Sequence, residues 1–129
     1  MEEKRLKVLA VDDDATSRLL FGAIANQYDL QITVVGNCDD AQSALATTDF
    51  DVVLMDWQLP SMDGMDWVRL LRKDGSSVGK DVPIIAVTAH ALDGHREHCL
   101  QAGCNDYLSK PFRVEELNAK IRRWALRSS

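Results

Sequence analysis

The chain has 129 residues, 46% of them hydrophobic and 27% charged, which suits one domain able to bury a sizeable core. A formal net charge of -5 argues against a nucleic-acid-binding surface, and no apolar run is long enough to span a membrane. The N-terminal "MEEKRLKVLAVDDD" runs into acid rather than into a cleavable apolar segment, so no signal peptide is expected, and three cysteines without a paired framework favour reduced thiols in a cytoplasmic setting.

In chain order, "KVLAV" is a short apolar, strand-like run. It leads into "TSRLLFGAIANQY", where Leu19, Leu20, Ala23, Ile24 and Gln27 recur at helical spacing. "ITVVG" reads as a second strand, and a helix is expected to begin near Cys38 and Asp39. "DVVLMD" is a third strand and "MDWVRLLRK" a third helix, followed by the polar loop "DGSSVGKD". "PIIAVT", a helix over "DGHREHCLQAG" stopped by Gly103, and the strand "DYLSK" come next. The closing "VEELNAKIRRWALR" places Leu117, Ile121, Trp124 and Ala125 on one helical stripe. Trp67 and Trp124 are read as helix packing residues.

Strict alternation of strands and helices predicts a parallel sheet with helices on both faces. Val52–Met55 and Ile84–Val87 are apolar throughout, as strands covered on both faces should be. In open sheets of this kind, chemistry gathers beyond the carboxyl ends of the strands. The first strand is followed by Asp12, Asp13 and Asp14; the third ends on Asp56, the fourth on Thr88 and the fifth on Lys110.

Three carboxylates brought together repel one another unless a cation sits among them. Oxygen donors with no soft partner select a hard ion, and Mg²⁺ suits a site that keeps several waters. With the point charge of Lys110 and the hydroxyl of Thr88, the set forms an electrostatic seat for a phosphoryl group, with Asp56 as the nucleophile that takes it up as an acyl phosphate. Each residue alone has a duller explanation: a helix cap for Asp12–Asp14, a turn cap for Asp56, a surface charge for Lys110. The conjunction at four strand ends carries the argument. Zinc at His95, His98, Cys99 and Cys104 is the other metal reading, but no C-x-x-C pair supports it and a fourth ligand would have to lie beyond the helix.

The segments "VLAVDDD", "VVLMDWQLPSMDG", "PIIAVTAHA" and "AGCNDYLSKPF", in this order and spacing, resemble the receiver domains of response regulators in two-component phosphorelays. The likeness extends over essentially all of residues 1–129, and the wording from "VTAHALDGH" to "LSKPF" is most like receivers of hybrid histidine kinases. The resemblance implies a flavodoxin-like three-layer α/β/α fold whose five-stranded parallel sheet has the order 2-1-3-4-5. It implies phosphorylation at Asp56, Mg²⁺ held by Asp12, Asp13, Asp56 and the backbone carbonyl of Gln58, and a phosphoryl grip by Thr88 and Lys110. Tyr107 is implied as an aromatic switch working with Thr88, and Pro111 behind a cis peptide bond. The implied partners are a sensor histidine kinase, a histidine-phosphotransfer domain or both, approaching near Arg18–Gly22 and the Lys110–Phe112 loop. Neither nucleic acid nor membrane is implied, and the location is cytoplasmic.

Departures from the commonest pattern are Asp14, where asparagine is frequent, and Trp57, where a smaller aliphatic is usual. A haloacid-dehalogenase-like phosphatase with Asp56 as nucleophile is the alternative. Such enzymes carry a second aspartate two residues on, where this chain has Gln58, and an amide cannot act as general base. A long-lived phospho-aspartate with at most slow self-hydrolysis is therefore expected, as a signalling module and not an enzyme. A flavodoxin-like electron carrier would need a phosphate-cradling loop where this chain has three acids.

Overall fold

The computed structural model describes residues 5–56, 64–73, 81–88 and 95–126. Its elements, in order, are β1 (Lys7–Val11), α1 (Ala15–Tyr28), β2 (Gln31–Val35), α2 (Cys38–Thr47), β3 (Val52–Asp56), α3 (Gly64–Lys73), β4 (Ile84–Thr88), α4 (His95–Ala102), β5 (Asp106–Ser109) and α5 (Val114–Ala125). All strand pairs are parallel, in the order β2-β1-β3-β4-β5. The sheet order reverses next to β1, because α2 carries the chain back over that strand to β3.

Alternation along each strand divides the core in two. Leu9, Val53, Met55, Ile84 and Ala86 face one way, under Ala41 and Leu45 of α2, Trp67, Val68 and Leu71 of α3, and Cys99 of α4. Val8, Ala10, Val52, Leu54, Ile85 and Val87 face the other way, against Phe21 and Ile24 of α1 and Leu117 and Ile121 of α5. This is the expected three-layer α/β/α arrangement. Trp67 is buried, and Trp124 packs from α5 onto the second half of the core.

Helix starts follow local chemistry. Asp14 caps α1 by accepting from the Ser17 amide at 3.3 Å, and Asn37 caps α2 through the Asp40 amide at 2.8 Å. Asp39 and Asp40 then lie in the first turn of α2, where the helix dipole favours negative charge. Helix α4 ends at Gly103, whose φ of +119° suits glycine, and a Cβ there would sit 2.7 Å from Arg72 Cγ.

The face of α1 differs from the expected one. Phe21 and Ile24 are buried and Tyr28 packs behind them, whereas Leu19 is 78% exposed and Leu20 is 38% exposed. Apolar residues nearly encircle this helix, and the i, i+3, i+7 stripe with two aromatic rings buries more area against the sheet than the leucine stripe would.

Cys38, Cys99 and Cys104 are all free and buried. Cys104 is hydrogen-bonded to Cys99, and this bond, with burial next, pushes its thiol well above the ordinary range. The two sulfurs therefore face the core, while His98 lies at the surface with its Nε2 2.8 Å from an Arg69 guanidinium nitrogen. Among the described residues, no helix is long and apolar enough to cross a membrane.

Candidate functional site

The parallel register brings the ends of β1 and β3 side by side, with Val11 opposite Met55, so the residues that follow each strand emerge together. Asp12 is fixed by its backbone amide, which donates to Val35 O at 2.9 Å, and the residue is 2% exposed. One Asp12 oxygen accepts from the Asp14 amide at 2.9 Å and the other from Lys110 Nζ at 3.1 Å. Asp13 next to it is exposed, and Asp56 at the tip of β3 is half-buried.

Carboxylate oxygens of Asp12, Asp13 and Asp56 all lie within 4.8 Å of one another. Ionised, two such charges at the upper separation of 4.8 Å repel by about 3.5 kcal/mol at an effective dielectric constant of about 20. The single ammonium of Lys110 offsets only part of this. Three hard oxygen donors with excess negative charge fit a divalent ion of the Mg²⁺ kind. Among the described residues, this is the cluster whose geometry suits a metal.

Lys110 is delivered to the cluster by β5, which continues past Ser109 so that the Lys110 amide donates to Thr88 O at 2.7 Å. The Lys110–Pro111 peptide is cis. Thr88 closes β4 and is 1% exposed. It shares a sheet face with Ala86, which is opposite Tyr107 on β5, and Tyr107 packs half-buried against the core beneath α2, α3 and α4. The structure thus gathers Asp12, Asp13, Asp56 and Lys110 at one edge, with Thr88 at the end of the adjoining strand and Tyr107 deeper on the same face. Gln58, the expected carbonyl ligand, lies outside the described residues, as does Trp57.

One feature escaped the sequence reading. Ser17, Leu20, Lys110, Pro111 and Phe112 line an open, largely apolar hollow of about 350 Å³ beside the cluster. Leu20, exposed on α1, forms its flank, and only the true phase of α1 reveals it.

Residues 8–122 match the response regulator receiver domain family. The chain belongs to that family. This receiver domain is 34% identical to sensor histidine kinase GacS of Pseudomonas protegens over 119 residues, which is 92% of the chain but 13% of that kinase. It is 30% identical over 116 residues to the phosphate regulon transcriptional regulatory protein PhoB of Klebsiella pneumoniae, covering 90% of the chain and 50% of the regulator. Among solved structures it is similar to the receiver domain of sensor histidine kinase PA1611 from Pseudomonas aeruginosa PAO1, which has a magnesium ion coordinated in its active-site cleft. The two share 38% identity with a TM-score of 0.84, over 95% of this chain and 98% of the other. The receiver domain thus spans only a small part of the kinases it matches, and the phosphatase alternative finds no support.

Proposed function

We propose that Asp56 accepts a phosphoryl group from a phosphohistidine, residues 1–129 acting as one receiver domain in the cytoplasm. The observation that carries this reading is the meeting of three carboxylates within 4.8 Å with the Lys110 ammonium at the carboxyl edge of the sheet. An Asp56 carboxylate oxygen attacks phosphorus in line, the phosphorus–nitrogen bond breaks, and its electron pair returns to the imidazole. Asp12, Asp13 and Asp56, with the Gln58 carbonyl, would hold Mg²⁺. When bound, the ion neutralises the carboxylates and the phosphoryl oxygens.

Lys110 is already tied to Asp12 and extends the same charge neutralisation from the β5 side. The Thr88 hydroxyl donates to a second phosphoryl oxygen. Its movement toward that oxygen frees space for Tyr107 to turn inward, biasing a two-state equilibrium of the α4–β5–α5 surface. With Gln58 two positions past the acceptor, water lacks an efficient base, and self-hydrolysis is slow compared with an enzymatic turnover. The module is therefore a phosphoryl acceptor and not a phosphatase.

The source is a sensor histidine kinase or a histidine-phosphotransfer domain, approaching over α1 and the Lys110–Phe112 loop. The apolar hollow beside Leu20 supports that approach. Substituting Asp56→Asn tests the acceptor: labelling by acetyl phosphate with Mg²⁺ falls to background while the thermal transition is retained. Acid-stable labelling of the variant at the wild-type level would overturn the assignment. Leu20→Glu should slow transfer from a phosphorylated phosphotransfer domain while labelling by acetyl phosphate persists.

A further inference from the structure

Gly36 ends β2 at the point where the Arg18 side chain crosses from α1. A Cβ built on Gly36 would lie 2.5 Å from Arg18 Nη2, 3.8 Å from Arg18 Cζ and 3.9 Å from Asp13 Cα. The guanidinium therefore occupies the space a side chain at position 36 would need, a space that also borders the backbone of Asp13, one of the clustered acids. Arg18 is exposed, and among the described residues its guanidinium makes no hydrogen bond or ion pair. It is thus an uncommitted second cation at this edge. Lys110 reaches the acids from β5, at one margin of the sheet, and Arg18 lies over the end of β2, at the other.

A phosphoryl donor arrives as an anion at a rim of three carboxylates on a chain of net charge -5. Its approach is unfavourable until it comes close enough to bind, and exposed charges act at that range. We infer that Arg18, laid over Gly36, captures anionic phosphoryl donors at the rim of the cleft. It raises occupancy without touching the bond that breaks, so it acts on binding of the donor and leaves the chemical step alone. Gly36 is the positioning residue, since only the lack of a Cβ leaves room for the guanidinium there. The inference rests on the acceptor role proposed for Asp56.

The test measures the labelling rate against acetyl phosphate concentration, in saturating Mg²⁺, at low and high ionic strength. At low salt, Arg18→Ala should raise the half-saturating concentration about threefold with an unchanged limiting rate, and Arg18→Lys should restore it. High salt should erase the difference, because the Debye length shrinks to about 3 Å at 1 M. Gly36→Ala should reproduce the Arg18→Ala effect at near-wild-type stability, since its methyl crowds only the far end of a flexible side chain and meets Asp13 Cα at an ordinary contact distance. The double variant should then be no worse than either single one.

Methylphosphonate, which cannot transfer its phosphorus, carries the comparison independently of Asp56 chemistry: its binding, followed at the Gly36 amide by NMR, should weaken about threefold in Arg18→Ala at low salt. An unchanged half-saturation and unchanged methylphosphonate binding would overturn the inference, as would a salt-independent loss in limiting rate that lysine does not restore. Failure of the acceptor reading has a different signature, undiminished labelling of Asp56→Asn, and leaves the methylphosphonate comparison to decide the role of Arg18.

Discussion

The two edges of the same five-stranded sheet use polar side chains in opposite ways. At the amino edge, Asp51, Arg72, Asn105 and Asp106 each close on a partner within the fold. Asp51 accepts the Lys7 amide at 2.8 Å, and Asn105 accepts the Ile84 amide at 2.9 Å. Arg72 reaches from α3 to Gly103 O at 3.0 Å and Asn105 Oδ1 at 2.9 Å. Asp106 takes bonds from Lys120, Trp124 and the Tyr107 amide. At the carboxyl edge, like charges are crowded together with one lysine among them. The amino edge thus fixes strand starts and helix positions, whereas the carboxyl edge holds strain that a bound cation and a phosphoryl group would relieve.

The strongest way to break this contrast is at the amino edge. Arg72→Ala leaves Gly103 O without its donor and opens the link between α3 and the start of β5. It should lower stability by about 2 kcal/mol, the scale of an unsatisfied, half-buried hydrogen-bond network. Chemical denaturation measures this, and labelling of Asp56 by acetyl phosphate should stay within about twofold of wild type, because Arg72 is at the far edge of the sheet. A variant of full stability, or one that folds but no longer labels, would erase the distinction between the edges.

At the carboxyl edge the expected signs reverse. Mg²⁺ at ten times its dissociation constant should raise wild-type stability by about 1.4 kcal/mol, and excess chelator should stop labelling. Asp13→Asn removes one of the crowded charges. In metal-free buffer it should be more stable than wild type by about 0.5 kcal/mol, a value kept small because Asp13 is exposed and screened. In Mg²⁺ the ranking should invert, since the variant loses a ligand. Paired thermal melts with and without the ion give both comparisons, and a destabilised metal-free variant would show that Asp13 is a structural residue.

How much of this was legible in the sequence also differs between the edges. The strands were readable because a parallel strand covered on both faces must be apolar throughout, as Val52–Met55 and Ile84–Val87 are. Once the strands were placed, topology put Asp12, Asp13, Asp56, Thr88 and Lys110 at one end, so the candidate site followed from the fold class. The amino edge was not legible. Arg72 and Asn105 are 33 positions apart, and nothing in their spacing marks them as partners. The phase of α1 was likewise hidden, because Leu19, Leu20, Phe21, Ala23 and Ile24 leave two apolar stripes, and only packing against the sheet chooses between them. The place of Arg18 depends on a missing Cβ eighteen positions away, a constraint visible only in three dimensions.

The smallest expected effect concerns acid titration at the amino edge. Burial pushes the Asp106 carboxyl up, but hydrogen bonds from Trp124, the Tyr107 amide and Lys120, with the Lys120 charge, outweigh it and hold the group below its ordinary value. A carboxyl depressed in the folded state stabilises the fold fully above its unfolded pKa, and that contribution is lost as pH falls through the folded pKa. The window therefore opens near pH 4, the ordinary aspartate value, and extends below it. Asp106→Asn keeps an acceptor for the Tyr107 amide but removes the charge facing Lys120, so its stability should be lower above pH 5 and fall less steeply in acid. The Lys120 side chain is 24% exposed and its ion pair is partly screened, so the difference at neutral pH should be about 1 kcal/mol or less. Melts from pH 2 to 7 read the slope, and the Trp124 indole, 2.8 Å from Asp106 Oδ2, supplies a local fluorescence signal for the same titration. Parallel curves for variant and wild type would mean that Asp106 binds its proton equally in both states, and that this edge owes its order to packing rather than to charge.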